Sequence, residues 1–404
     1  MSSEYTNNHY VPEWYQKRFL VPGSHKLFYL DFSPPSFRDA KGGVHFAKEV
    51  KLRGPRSCFC EDNLYTVQLG SLSSTEIEQL FFGEIDRRGR FGVSHFANFR
   101  HGAAGASEAF LSLVRYMSAQ KLRTPKGLAL LRETIKSNER NEILGGMIAL
   151  RDLFCATWTE CIWLIADASR SATKFIISDH PVTVYNRRCG PRSQWCKDFK
   201  DPEIWLNATQ TIFPLSLDKI LILTNLSWVR NPYQNPVALR PNPNPLRNAM
   251  FQLLAIQVER HLTEQEVREI NFIIKARALR FLAAGKEEWL YPDQHVSKAD
   301  WANYGKGYLL MPDPRSVSFT SEVLIGFKGG TSTGFDAYGR RPWERDYRVP
   351  GGSDEWHRFN KFRKEFAKKF GPYRRGRSFQ INGLDEEKDS DDLHKSFLNY
   401  GKRH

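Results

Sequence analysis

Zinc-spaced cysteines, a phosphate-loop lysine, a serine-hydrolase elbow and any long apolar run are all missing from this chain. Its six cysteines (Cys58, Cys60, Cys155, Cys161, Cys189, Cys196) include a Cys-x-Cys but no paired Cys-x-x-Cys. Structural zinc is therefore not expected, and neither is a disulfide framework; free, buried thiols in a reducing compartment are. No stretch of about eighteen apolar residues exists, which removes a membrane-spanning helix. The glycine-rich segment 326–334 lacks the Lys-Ser/Thr that would hold a nucleotide phosphate, and no Gly-x-Ser-x-Gly occurs. The first twenty residues lack the basic–apolar–small order of a secretory signal, so a cytoplasmic location is expected. Acidic residues are the other shortage. Against 59 Lys and Arg stand 45 Asp and Glu, a net charge of +14, which predicts affinity for polyanions and above all for nucleic acid.

What is present is ordinary globular composition, 41% hydrophobic and 13% aromatic over 404 residues, enough for one large domain or two of common size. Residues 13–20 read as a short helix behind Pro12, with Tyr15 and Phe19 one turn apart on its buried side. Short strands are predicted at 27–30, around 44–46 and around 63–65, between Pro/Gly turns. From about 75 the period turns helical: Ile77, Phe81, Glu84 and Arg88 share a stripe, and further helices are predicted over 106–121, 127–138 and 142–168, the last one strongly apolar. Strands return at 174–178, ending at Asp179-His180-Pro181, and at 211–216 and 220–224, which flank a turn at Asp218-Lys219 as a hairpin. Thr263 to Glu266 is a capping box opening a helix to about 284, with Asn271 on its apolar side. The fold class expected is α+β: a mixed core of short strands around a helical bundle. The division expected is a core domain over 1–310 and a basic extension over 311–404, containing one amphipathic helix from about 354 to 370 and a disordered last stretch around the acidic run 385–392.

Asn8-His9-Tyr10-Val11-Pro12, then Asn63-Leu64-Tyr65, Ser178-Asp179-His180-Pro181, Phe213-Pro214-Leu215-Ser216 and Glu269-Ile270-Asn271 follow one another in that order. The series resembles the bacterial domain-of-unknown-function family 4238, with its N-terminal His-x-Val-Pro and later Ser-Asp-x-Pro motifs, over about residues 7–285. His180 departs from it, filling a position where a small or polar residue is the expectation. The family brings no settled activity, so the resemblance marks a site without naming a reaction.

Read as chemistry, His9, Glu84 and Asp179, with Glu61 or Glu78 behind them, are polar residues in unexpected places. Together with His180 and Arg18 they form the candidate catalytic set. A His with two or three carboxylates suits a hard cation, so Glu84 and Asp179 are candidate ligands for Mg or Mn in phosphodiester hydrolysis. Without a metal, His9 would serve as acid or base, with Arg18 steadying the anion. Arg358, Lys361, Arg363, Lys364, Lys368, Lys369, Arg374, Arg375 and Arg377 are the candidate nucleic-acid contacts. The function expected is a nuclease, with bacterial anti-phage defence as its setting. The alternative is a non-catalytic nucleic-acid-binding or partner-binding subunit of a defence or mobile-element system, and transfer or hydrolysis on a nucleotide-like small molecule is a third reading. The partners expected are nucleic acid and either a protein partner or a second copy of the chain. Each residue also has a plain structural role to set beside these: His9 bonded to a carbonyl, Asp179 as a turn-former, Glu84 paired with Arg87 or Arg88, Asn271 as a buried tie, and the aromatic face of the C-terminal helix docked on the core.

Overall fold

The computed structural model describes residues 7–39, 41–65, 67–69, 72–74, 82–199, 201–241, 251–320, 322–344, 347, 352–378 and 386–401. Ile77, Glu78, Leu80 and Phe81 lie outside them, as do Asp385 and the basic end at 402–403. The architecture is α+β, with two sheets as its frame. The larger sheet orders its strands Thr183–Tyr185, Gln210–Pro214, Lys219–Asn225, Cys161–Asp167 and Gln257–His261. The first three pairings are antiparallel and the last is parallel, with a bulge between Gln257 and Arg260. The predicted hairpin at Asp218-Lys219 forms its centre, Pro214 facing Ile220. The smaller sheet is antiparallel throughout: Ile177–Ser178, Phe281–Ala284, Leu27–Asp31 and Val50–Arg53. Ser178-Asp179-His180-Pro181 is thus the step by which the chain leaves one sheet and enters the other.

Two predicted helices are corrected. Residues 142–168 do not form one helix: helices Arg140–Ala149 and Cys155–Thr159 are followed by the strand Cys161–Asp167. That strand lies between two neighbours and is apolar at nearly every position, so it carries no alternation to separate it from a buried helix. The capping box at Thr263 is present, with Glu266 bonding back to the cap, but its helix stops at Arg277, and Phe281–Ala284 is a strand. Ala278 turns extended, and Asp179 receives the backbone N–H groups that follow. Asn63–Tyr65 is likewise a turn, behind the strand Cys60–Asp62.

Helices Gly83–Ala97 and Ala106–Arg123 pack in close contact. A Cβ on Gly92 would come within 2.8 Å of the Leu113 backbone nitrogen, so glycine is what allows the approach. In the C-terminal region Phe359, Phe362 and Phe366 of helix Gly352–Phe370 bury against Trp228, Val229, Met311 and Val317. Glu386–Leu398 is helical where disorder is the sequence expectation. It ends against the longer helix: Tyr400 meets His357 through its hydroxyl and accepts the Lys364 ammonium on its carbonyl. Buried contacts cross the expected division at residue 310, among them Gln257 Nε2 to the Asp313 carbonyl, the Asp313 N–H back to Gln257, and Arg260 to the Met311 carbonyl.

Candidate functional site

The separated motifs meet around the end of helix Ala106–Arg123, every residue of which from Leu113 on, except Arg115, is buried. Gln120 donates to the Tyr10 carbonyl at 2.7 Å and accepts from Arg123, whose guanidinium reaches Asp86 at 2.8 Å. Tyr65 donates its hydroxyl to the Arg123 carbonyl at 2.6 Å, while its N–H bonds to Asn8. The Asn-His-Tyr-Val-Pro start and the Asn-Leu-Tyr turn are therefore both fastened to one helix end.

On the other side of that end sits His180, 2% exposed. Its Nδ1 lies 2.7 Å from Thr124 Oγ1 and its Nε2 3.2 Å from Asp201 Oδ2. Thr124 caps the next helix, accepting the Gly127 N–H on the same hydroxyl oxygen. The Lys121 ammonium also lies 3.2 Å from Nε2, so each ring nitrogen has a polar partner, one to receive the ring proton and one to be accepted from. Burial together with the Lys121 ammonium holds the His180 pKa down at about 4, which keeps the imidazole neutral at pH 7. Asp201 binds Lys121 at 2.8 Å through one oxygen and Lys126 at 2.6 Å through the other. Burial alone would raise its pKa; the two ammoniums more than reverse this and take it well below the usual carboxylate range. Burial lowers the Lys121 pKa, with Asp201 opposing the shift. The result is a hydroxyl–imidazole–carboxylate chain flanked by two lysines, one cation in excess of its single carboxylate. It can hold and pass a proton.

The sequence-named residues fall as follows. His9 Nε2 meets the Arg56 carbonyl at 3.0 Å, with Glu13 3.9 Å away. Glu84 is exposed and held by Arg87 and Arg88, whose hydrogen bonds bring its pKa to about 2. Asp179 is buried and accepts three backbone N–H groups, from Leu279, Arg280 and Phe281, at 2.6–2.9 Å. Burial raises its pKa against those bonds. Arg18 bonds to the Leu215 carbonyl and Ser94, and Tyr15 to the Pro214 carbonyl, which pins the first helix to the Phe-Pro-Leu-Ser hairpin. Asn271 joins the backbone of Lys174 and Ile176. Glu61 pairs through its backbone with Asn8; Glu78 is outside the described residues. His9, Glu84 and Asp179 thus hold separate partners and share no centre.

Glu84 and Asp179 do not fit as joint ligands for Mg or Mn, since the oxygens of one are committed to two guanidiniums and those of the other to backbone. Among the described residues no three His, Cys, Asp or Glu side chains converge on a cation position. Cys189 and Cys196 are separated from such a role by Arg277, which bonds to the Cys196 sulfur at 3.0 Å.

Of the candidate polymer contacts, Arg363 is buried against Phe359 and bonds to the Pro314 and Val317 carbonyls. Burial and the neighbouring Arg230 bring its pKa to about 10. Arg375 pairs with Glu266, Arg377 with Glu259, and Lys364 and Lys369 bond to backbone carbonyls. Arg374 is partly buried, and burial lowers its pKa. Arg358, Lys361 and Lys368 are exposed. The stretch acts largely as an internal clamp because its aromatic stripe carries the interleaved cations down with it.

Lys121, Thr124, Lys126 and Asp201 are the residues that sequence reasoning missed. Their one signal is the polar run Gln120-Lys121-Leu122-Arg123-Thr124-Pro125 closing a helix with an otherwise apolar buried face. Asp201, in a loop, carries no signal.

Residues 128–288 match the family model of DUF4238, described as a protein of unknown function. His180, Asp201 and Asn271 fall in this span; His9 and Lys121 precede it, so the resemblance expected from residue 7 is shown from 128. No curated protein and no solved structure matches the chain.

Proposed function

We propose that this chain, with its DUF4238 segment over 128–288, is a nucleic-acid-binding protein whose sequence motifs build the scaffold. The observation that supports this reading is the charge surplus and where it lies. Pairing every carboxylate with one cation would still leave fourteen cations over. Exposed residues such as Arg38, Lys41, Lys48, Lys51, Arg358, Lys361 and Lys368 form no ion pair among the described residues. Unpaired surface cations release counterions from a phosphate backbone, which makes the affinity steep in salt. Titration of labelled single-stranded DNA, duplex DNA and RNA at several salt concentrations tests it. Log affinity is expected to fall linearly with log salt; no binding to any of the three at low salt would overturn the reading.

Hydrolysis is the second reading, and the Thr124–His180–Asp201 chain with its two lysines favours it. A phosphate taking the place of the Asp201 carboxylate between Lys121 and Lys126 would lie beside a neutral imidazole able to accept a proton. Cleavage of the same substrates that is lost in His180→Gln, with folding retained, is the expected sign of it. Intact substrates leave the binding reading alone.

A further inference from the structure

Strands Leu27–Asp31 and Val50–Arg53 belong to the smaller sheet, but the chain between them runs on as a second ribbon. Ser36–Arg38 pairs with Val44–Phe46 in antiparallel register. All six residues of this ribbon are exposed. Its turn is nonetheless built: the Asp39 carboxylate accepts the Lys41 and Gly43 N–H groups at 2.8 Å each and lies 2.7 Å from His45. Asp39 is thereby held by its own turn and by His45, and makes no ion pair with the described lysines and arginine of the segment.

Two-stranded ribbons gain little stability by themselves, and one that exposes large apolar side chains calls for a partner. Phe37 is 57% exposed, Val44 56% and Phe46 71%. Arg38 and Lys41, with Lys48 and Lys51 a few residues further on, are exposed, none in an ion pair among the described residues. The register divides the rings between two faces. Phe37 stands opposite His45, their rings stacked with centroids 5.7 Å apart, while Ser36 stands opposite Phe46 and Arg38 opposite Val44 on the reverse. A partner laid flat against the ribbon engages one of these faces. A flexible strand of alternating bases and phosphates can use both, its bases stacking on the rings and its phosphates meeting the cations.

We infer that this ribbon is an arm that binds single-stranded nucleic acid, with Phe37 and Phe46 as stacking platforms and Arg38, Lys41, Lys48 and Lys51 as phosphate-binding cations. The inference rests on the nucleic-acid reading above and names the surface that reading needs. It is tested in the full chain with two double variants, Phe37→Ala/Phe46→Ala and Arg38→Gln/Lys48→Gln, with thermal unfolding as the control for folding. The phenylalanine pair is expected to weaken binding of a single-stranded oligonucleotide by at least about tenfold, less for duplex, with the salt slope kept. The charge pair is expected to make the salt slope shallower by about 1.4, or about 0.7 for each phosphate no longer neutralised. Wild-type affinity in both variants would overturn the arm while leaving the nucleic-acid reading standing; a wild-type chain that binds no nucleic acid would overturn both. Equal losses on single strand and duplex in the phenylalanine variant would also overturn it. So would a loss confined to anionic phosphatidylserine vesicles, or a change in sedimenting mass that makes the arm a contact between copies.

Discussion

Cations are handled in opposite ways at the His180 cluster and at the ribbon arm. Lys121 and Lys126 are buried or nearly so and share one carboxylate, itself 11% exposed. Arg38, Lys41, Lys48 and Lys51 stand in water with no ion-pair partner among the described residues. The buried pattern recurs elsewhere: Arg240 meets Glu160, Arg315 meets Asp313, and Arg277 is surrounded by carbonyls. A residue count treats all of these charges alike. Burial separates them, since a cation out of water must be matched or it destabilises the fold, whereas an exposed one costs nothing and stays free for a partner.

Asp201→Ala should break the comparison most forcefully. It leaves two ammoniums without their carboxylate and is expected to cost about 3–5 kcal/mol in chemical denaturation. A loss like that of a surface substitution would mean that water reaches the lysines. Acid should act next. His180 titrates at about 4 in the folded chain against an ordinary 6.5, so between those values the unfolded state holds the extra proton and stability falls as pH drops. The window is worth about 3 kcal/mol, present in full above pH 6.5 and lost on the way to pH 4. His180→Gln should flatten that part of the stability–pH curve; an unchanged slope would remove the neutral imidazole from the account. Asp179→Asn comes third, at about 1–3 kcal/mol, because one amide oxygen cannot serve three N–H groups and its NH₂ opposes them. At the far end of the scale, Lys48→Gln and Arg38→Gln should leave the melting temperature unchanged while altering the salt dependence of binding. A drop in melting temperature there would mean that the arm is packed, and would erase the contrast.

Much of the fold could be read from local pattern. The helix entrance at Pro12, the hairpin at Asp218-Lys219, the capping box at Thr263 and the amphipathic helix ending at Phe370 each follow from a few neighbouring residues. Cys161–Asp167 could not be read that way, because a strand buried on both faces loses its alternation. The end of the helix at Arg277 was hidden as well: what stops it is Asp179, about a hundred residues earlier in the chain. The candidate site was half legible. His180 stood out as a residue type at a strand end, but Lys121 resembled any helix-surface lysine and Asp201 any loop aspartate.

By itself the sequence determined that the chain is α+β, that no helix among the described residues is long and apolar enough to cross a membrane, that its cations outnumber its acids, and that residue types at 128–288 are those of DUF4238. Only the tertiary structure decided which of those charges are spent inside. Asp179 holds backbone, Glu84 holds its neighbouring arginines, Arg363 holds carbonyls, and His180 joins Thr124 to Asp201. The physical reason is that propensity, capping and turn chemistry act over a few residues of chain. Desolvation and ion pairing depend on what surrounds a group in space, and those surroundings come from segments that sequence order keeps far apart.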